Sequence, residues 1–136
     1  MTTIADILAK HEKREGALLP ILHDVQKIFG HVSEDAMREI AHTLNLTRAE
    51  VYGVVSFYHD FRKEVENRPV IKLCRAEACK ARGVEALVPQ TESQSRVKVE
   101  SVYCLGLCSV GPAAMIGDQV YARLTQERLI ALMEML

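Results

Sequence analysis

The stretch Val102–Pro112, VYCLGLCSVGP, decides how this chain is read, together with Leu73–Cys79, LCRAEAC, upstream of it. These two segments hold all four cysteines of the 136 residues. Four residues separate Cys74 from Cys79 and three separate Cys104 from Cys108, and each pair begins where a β-branched run, Val70–Leu73 or Val97–Tyr103, ends. Sulfurs brought together from two strand ends can bind two sulfide-bridged irons or one tetrahedral zinc. Loops of this length wrap something wider than a single ion, which favours iron and sulfide. Gly106, in the middle of the second loop, allows a positive φ and close approach of main-chain N–H groups to inorganic sulfur. Gly111-Pro112 ends that loop and restarts a strand-like AAMI segment. A thiolate cluster is net negative, so its burial calls for N–H dipoles and cations. Arg75, Lys80 and Arg82 lie in or just after the first loop as candidate cations, although each also reads as an ordinary solvated charge.

Outside the loops, the length suits one ordinary domain, or two small ones if a bound cluster holds the second together. A net charge of −1, with no basic run interleaved with aromatics, argues against nucleic acid as a partner. No apolar stretch approaches a bilayer span, so no membrane insertion is expected. The start, MTTIADILAKHEKREG, does not read as an export signal. Free thiols in a reducing compartment are then expected rather than disulfides, with the cytoplasm as the location.

The first half is helical by periodicity. Thr3 can cap a helix carrying Ile4, Ile7 and Leu8. Leu18–Phe29 places Ile21, Leu22, Val25, Ile28 and Phe29 on one face, with Pro20 near its start and Gly30 just past its end. Ser33, followed by Glu34 and Asp35, opens a third helix through Met37, Ile40, Ala41 and Leu44. Thr47 and Glu50 form a capping box for a fourth, with Val51, Val54, Val55 and Tyr58. Its end, VVSFYHDF, concentrates the aromatics. Phe57, Tyr58 and Phe61 either close the core or anchor a partner protein.

The polar RKEVENRP segment, Arg62–Pro69, carries the expected boundary between a helical bundle at 1–67 and a second domain at 68–136. There Val70–Leu73 predicts a strand, Ala81–Val88 a short helix, Pro89–Arg96 a surface loop, and Val97–Tyr103 a strand with one slip or bulge. AAMI, a Gly117-Asp118 turn and Gln119–Ala122 predict a hairpin. Thr125 caps a last helix with Leu129, Ile130, Met133 and Leu136 on one face. The order βαβ, then ββα, outlines a small thioredoxin-like sandwich, and the whole chain is α+β. All five histidines fall in the helical half, away from the cysteines, and no catalytic acid/base pair stands out.

With these residues in place, the chain resembles the thioredoxin-like [2Fe-2S] ferredoxins that accompany flavin-and-NAD subunits in respiratory complex I, NAD-linked hydrogenases and NAD-dependent molybdenum or tungsten formate dehydrogenases. The resemblance runs from ALLPIL (17–22) through AEVYGVVSFYHDF (49–61) to both cysteine loops. It implies that Cys74, Cys79, Cys104 and Cys108 ligate the cluster. CRAEACKARGVEAL (74–87) and VYCLGLCSVGPAAMIG (102–117) look most like the gamma subunit of formate dehydrogenase. That likeness implies a one-electron carrier with no bond-making chemistry of its own. FMN and NAD would sit in a flavin/NAD-binding partner subunit, and molybdopterin in a large catalytic subunit. The helical half would dock on the flavin subunit. The equivalent subunit of complex I or of a hydrogenase is the alternative within the family. A zinc-stapled interaction module fits the same spacings. A thiol-disulfide enzyme would need a Cys-x-x-Cys pair, and neither pair has that spacing.

Overall fold

Side chains that bond back to the chain set out the helices of the first half. The computed structural model describes residues 1–136 and contains two compact units, Met1–Glu66 and Asn67–Leu136. In the first, Thr3 Oγ1 accepts from Asp6 N at 3.2 Å while Asp6 accepts from Thr3 N at 2.8 Å, which starts α1, Ile4–Lys10. Helix α2, Leu18–Phe29, stops at Gly30, whose φ of +79° turns the chain out of the helix at no steric cost. Ser33 caps α3, Glu34–Leu44. Thr47 and Glu50 close the second capping box, opening α4, Arg48–Phe57. The four helices bury one shared core around Ile7, Ile21, Leu22, Val25, Met37, Ile40, Val51 and Val55.

The apolar face of α2 is shorter than its periodicity suggests. Ile21, Leu22 and Val25 are buried, but Ile28 and Phe29 face solvent, because the helix runs one turn past the core it covers. Beyond α4, the Gln26 side chain clamps the returning chain. Its amide donates to Asp60 O, its carbonyl accepts from Arg62 N at 2.6 Å, and Val32 N donates to Arg62 O. This clamp brings Phe61 into the core.

In the second unit, β1 (Val70–Cys74) and β2 (Lys98–Val102) pair in parallel in unbroken register from Val70↔Lys98 to Cys74↔Val102. The slip expected within β2 is therefore absent. Four of its five residues are half-buried, so the two-period alternation is blurred without a bulge. Strand β3 (Ala114–Ile116) runs antiparallel to β1, and β4 (Gln119–Tyr121) completes the hairpin, giving the sheet order β2-β1-β3-β4.

The crossover also departs from expectation. Helix α5 spans Glu77–Ala81, beginning inside the first cysteine loop and ending where the expected helix, Ala81–Val88, starts. After it come a 3-10 turn at Val84–Ala86 and α6 at Val88–Glu92. The segment expected to be a polar loop thus begins as a helix, with Pro89 in its first turn where a missing N–H costs nothing. Helix α7, Gln126–Glu134, capped by Thr125, packs Leu129 and Met133 into a core with Ile71, Leu73 and Val84. The architecture is the α+β order expected, and no helix is long and apolar enough to cross a membrane.

Candidate metal centre

Strand direction brings the two cysteine loops together. Because β1 and β2 are parallel, both leave the sheet at the same end, where Arg75 N donates to Val102 O at 2.8 Å. Cys74 is the last residue of β1, and Cys79 lies within α5. Cys104 follows β2 by two residues, and Cys108 opens a 3-10 turn, Cys108–Val110. All four sequence-predicted ligands therefore lie at one end of one sheet, and none is in a disulfide.

The sulfurs form two coupled pairs. Cys104 Sγ and Cys108 Sγ are 3.8 Å apart, and Cys79 shares a hydrogen bond with Cys74. Burial pushes the Cys79 thiol up from its ordinary pKa, helped by the Cys74 hydrogen bond and by the Cys74 and Cys108 charges. The Cys108 thiol is also pushed up, first by its hydrogen bond with Cys104, then by the Cys104 charge. Like-charge coupling of this kind is what a shared cationic centre relieves. Four free thiols at one end of one sheet are a donor set that fits a [2Fe-2S] cluster.

The surroundings are asymmetric. Cys74 and Cys79 belong to the core, while Cys104 and Cys108 are exposed. The main chain acts on two of the sulfurs. Gly106 N donates to Cys104 Sγ at 3.3 Å, and the Ala113 backbone draws the Cys79 thiol down, against the burial that raises it. Gly106 has φ +75°, the left-handed conformation its place in the loop predicts. Ala113 is the residue that sequence reading missed. Its backbone holds the Cys79 thiol down while its C=O accepts from Cys74 N at 2.9 Å, and an effect made by backbone alone leaves no side-chain signature.

The candidate cations behave differently from one another. Arg75 donates to both carboxylate oxygens of Glu85, at 3.0 and 2.7 Å, so its charge is already compensated. Lys80 Nζ lies 3.7 Å from Glu77. Arg82 runs its aliphatic stem past Gly111, at the edge of the second loop.

In the helical unit, His11 is buried with Nε2 2.8 Å from Asp24 Oδ2, a satisfied structural histidine. The aromatic cluster divides. Phe61 is 7% exposed, whereas Phe57 is 72% exposed and stacks edge-on against Tyr58. Phe57 and Tyr58 also border a shallow apolar groove with Leu18, Leu46 and Val54.

Comparison with known proteins agrees with this geometry. The sequence matches the family described as thioredoxin-like [2Fe-2S] ferredoxin over residues 4–136. The chain belongs to that family. Its cofactor is accordingly a [2Fe-2S] cluster. This ferredoxin is 31% identical to a subunit of the NADH-quinone oxidoreductase of Rhizobium meliloti, covering 93% of this chain and 82% of that protein. It is 29% identical to the NADP-reducing hydrogenase subunit HndA of Solidesulfovibrio fructosivorans, covering 83% and 72%. Among solved structures, an NAD+-reducing [NiFe]-hydrogenase in the H2-reduced state matches the ferredoxin with a TM-score of 0.74 and 27% identity. That match covers 87% of this chain but only 22% of the hydrogenase chain.

Proposed function

We propose that this chain is the one-electron carrier subunit of an NAD-linked oxidoreductase, with Cys74, Cys79, Cys104 and Cys108 as the ligands of its cluster. The observation that carries the ligand set is the convergence of all four free cysteines, two from each loop, at one end of one parallel strand pair. The relatives named above support the assembly: two are subunits of NAD(P)-linked or quinone-linked oxidoreductases by their names.

When bound, the cluster supplies one-electron redox chemistry. The chain's own residues do the rest. Four thiolates would hold the irons, and the Gly106 amide that donates to Cys104 Sγ, with the Ala113 backbone beside Cys79, would favour the more negative reduced state. The core around Ile71 and Leu73 excludes water on the Cys74/Cys79 side. The exposed Cys104/Cys108 side stays open to close approach by a redox partner. The helical unit, through Phe57, docks on a flavin/NAD-binding subunit.

Within this class we assign the chain to a cytoplasmic formate dehydrogenase with a large molybdopterin subunit. The support is the likeness of residues 74–87 and 102–117 to that enzyme's gamma subunit. The decisive experiment is anaerobic purification of the tagged chain from its own cell. Two irons and two sulfides per chain, with a flavin subunit and a molybdopterin subunit co-purifying, is the expected result. A quinone-linked or hydrogenase assembly in their place would retain the carrier role and refute formate. A colourless zinc protein would refute both.

A further inference from the structure

Gly111 looks at first like a simple loop terminator, but its backbone does not need glycine. Its φ of −64° and ψ of 169° are extended values open to any L-residue. What the position lacks is room. A Cβ built there would stand 3.0 Å from Cys79 Sγ, 3.6 Å from Cys79 Cα and 3.5 Å from Arg82 Cδ. Non-bonded carbon atoms are comfortable only at about 3.5–4.0 Å, so the sulfur contact is tight and one side must give by a few tenths of an ångström. The contact with the Cys79 backbone is ordinary van der Waals contact and constrains a side chain less than the sulfur does. It shows that at Gly111 the second cysteine loop lies directly against α5, the helix that carries Cys79. Gly111 follows the Cys108–Val110 turn immediately. The second loop thus meets α5 one residue beyond the turn that begins with one ligand, beside the sulfur of another.

We propose that Gly111 is the positioning residue that sets the separation between the two thiol pairs, by letting the Cys108 loop lie against α5 without displacing Cys79 Sγ. The proposal rests on the ligand assignment above. A side chain at 111 pushes the second loop away from α5 or rotates Cys79 off its place. Either movement changes the distance between Cys79 and Cys108, which the cluster must span. The opposite situation holds at Gly83, where φ is +93° and nothing lies within 4 Å of a Cβ. Alanine there strains the backbone and touches nothing.

The test uses the full chain in five forms: wild type, Gly111→Ala, Cys79→Ser, the double variant, and Gly83→Ala. Each is melted without cluster, then reconstituted with iron and sulfide. The reduced EPR spectrum and the rate of iron release to a ferrous chelator are recorded. Gly111→Ala is expected to shift the g-values and release iron about tenfold faster or more, the scale seen when a ligand loses its outer support. Gly83→Ala is expected to melt earlier yet keep wild-type g-values and release. In cluster-free protein, the melting loss from Gly111→Ala should largely vanish in the Cys79→Ser background, where a smaller atom on a shorter bond relieves the tight contact. Wild-type g-values and release in Gly111→Ala, an equal melting loss in both backgrounds, or an equal spectral change from Gly83→Ala would each overturn the proposal. If Gly111→Ala does not fold, a folded double variant supports the proposal and an unfolded one overturns it. Full iron retention by Cys79→Ser would instead refute the ligand set, while the cluster-free cycle still reports the contact.

Discussion

Cys104 Sγ and Cys108 Sγ lie 3.8 Å apart on residues open to solvent, while their partners Cys74 and Cys79 are sealed in the core. The exposed pair can therefore be altered without disturbing the fold. Cys108→Ala is expected to keep the melting behaviour of the cluster-free chain while weakening iron retention by more than about 100-fold, beyond the range for losing an outer partner alone. Iron and sulfide analysis of an anaerobically prepared sample checks this. Full occupancy would remove Cys108 from the ligand set.

Phe57 and Phe61 sit four residues apart and should respond in opposite ways. Phe61→Ala empties a core site and is expected to cost about 3 kcal/mol or more of stability. Phe57→Ala touches no core. It is expected to weaken binding to the flavin subunit by about 2 kcal/mol, roughly 30-fold. Chemical denaturation and titration of the subunit separate the two, and equal effects in both assays would discard the docking role of Phe57.

The His11–Asp24 contact gives the helical unit a defined acid sensitivity. The His11 hydrogen bond, then that of Lys10, holds the Asp24 carboxyl below its ordinary value. A depressed carboxylate adds stability that is fully present above the unfolded value, about pH 3.9, and is lost as pH falls through the folded value. Asp24→Ala leaves buried His11 without its acceptor and should cost about 1–3 kcal/mol at neutral pH. The difference between variant and wild type should then shrink below pH 4. A gap that stays constant from pH 7 to pH 3 would contradict this account.

Arg75 and Arg82 should tune the cluster unequally. Arg75 is paired with Glu85, so Arg75→Gln leaves a negative partner behind and alters a balanced pair. Arg82 lies against the Gly111–Cys79 contact. Arg82→Gln is expected to lower the reduction potential by an amount on the order of tens of mV, as loss of a unit charge several ångströms away would. That shift should shrink as salt is raised. Redox titration at two ionic strengths is the measurement, and a potential that does not move would dismiss Arg82 as a lever.

The sequence made some of this plain and hid the rest for physical reasons. The caps at Thr3, Ser33, Thr47 and Thr125 were readable because capping is a local exchange between residues three apart. The sulfur loops were readable because β-branched runs stop where the cysteines start. Helices of five residues such as α5 and α6 are too short to show a 3.6-residue period, so residues 77–80 read as part of the first cysteine loop and Pro89–Arg96 as a surface loop. The different fates of Phe57 and Phe61 were hidden because they depend on the clamp made by Gln26, more than thirty residues earlier. Gly111 offered only its identity, and identity does not tell a backbone need from a packing need.

The parallel register of β1 and β2 also determines which changes of length the site can absorb. Only that register, ending in Cys74↔Val102, fixes where the two sulfur-bearing segments emerge. Residues added to the crossover between α5 and β2 lengthen a detour and leave both exits in place. One residue inserted inside β1 would turn Cys74 to the opposite side of the sheet, since neighbouring strand positions point opposite ways. Relatives with long or short crossovers can therefore keep the same centre, whereas strand length is held to the residue.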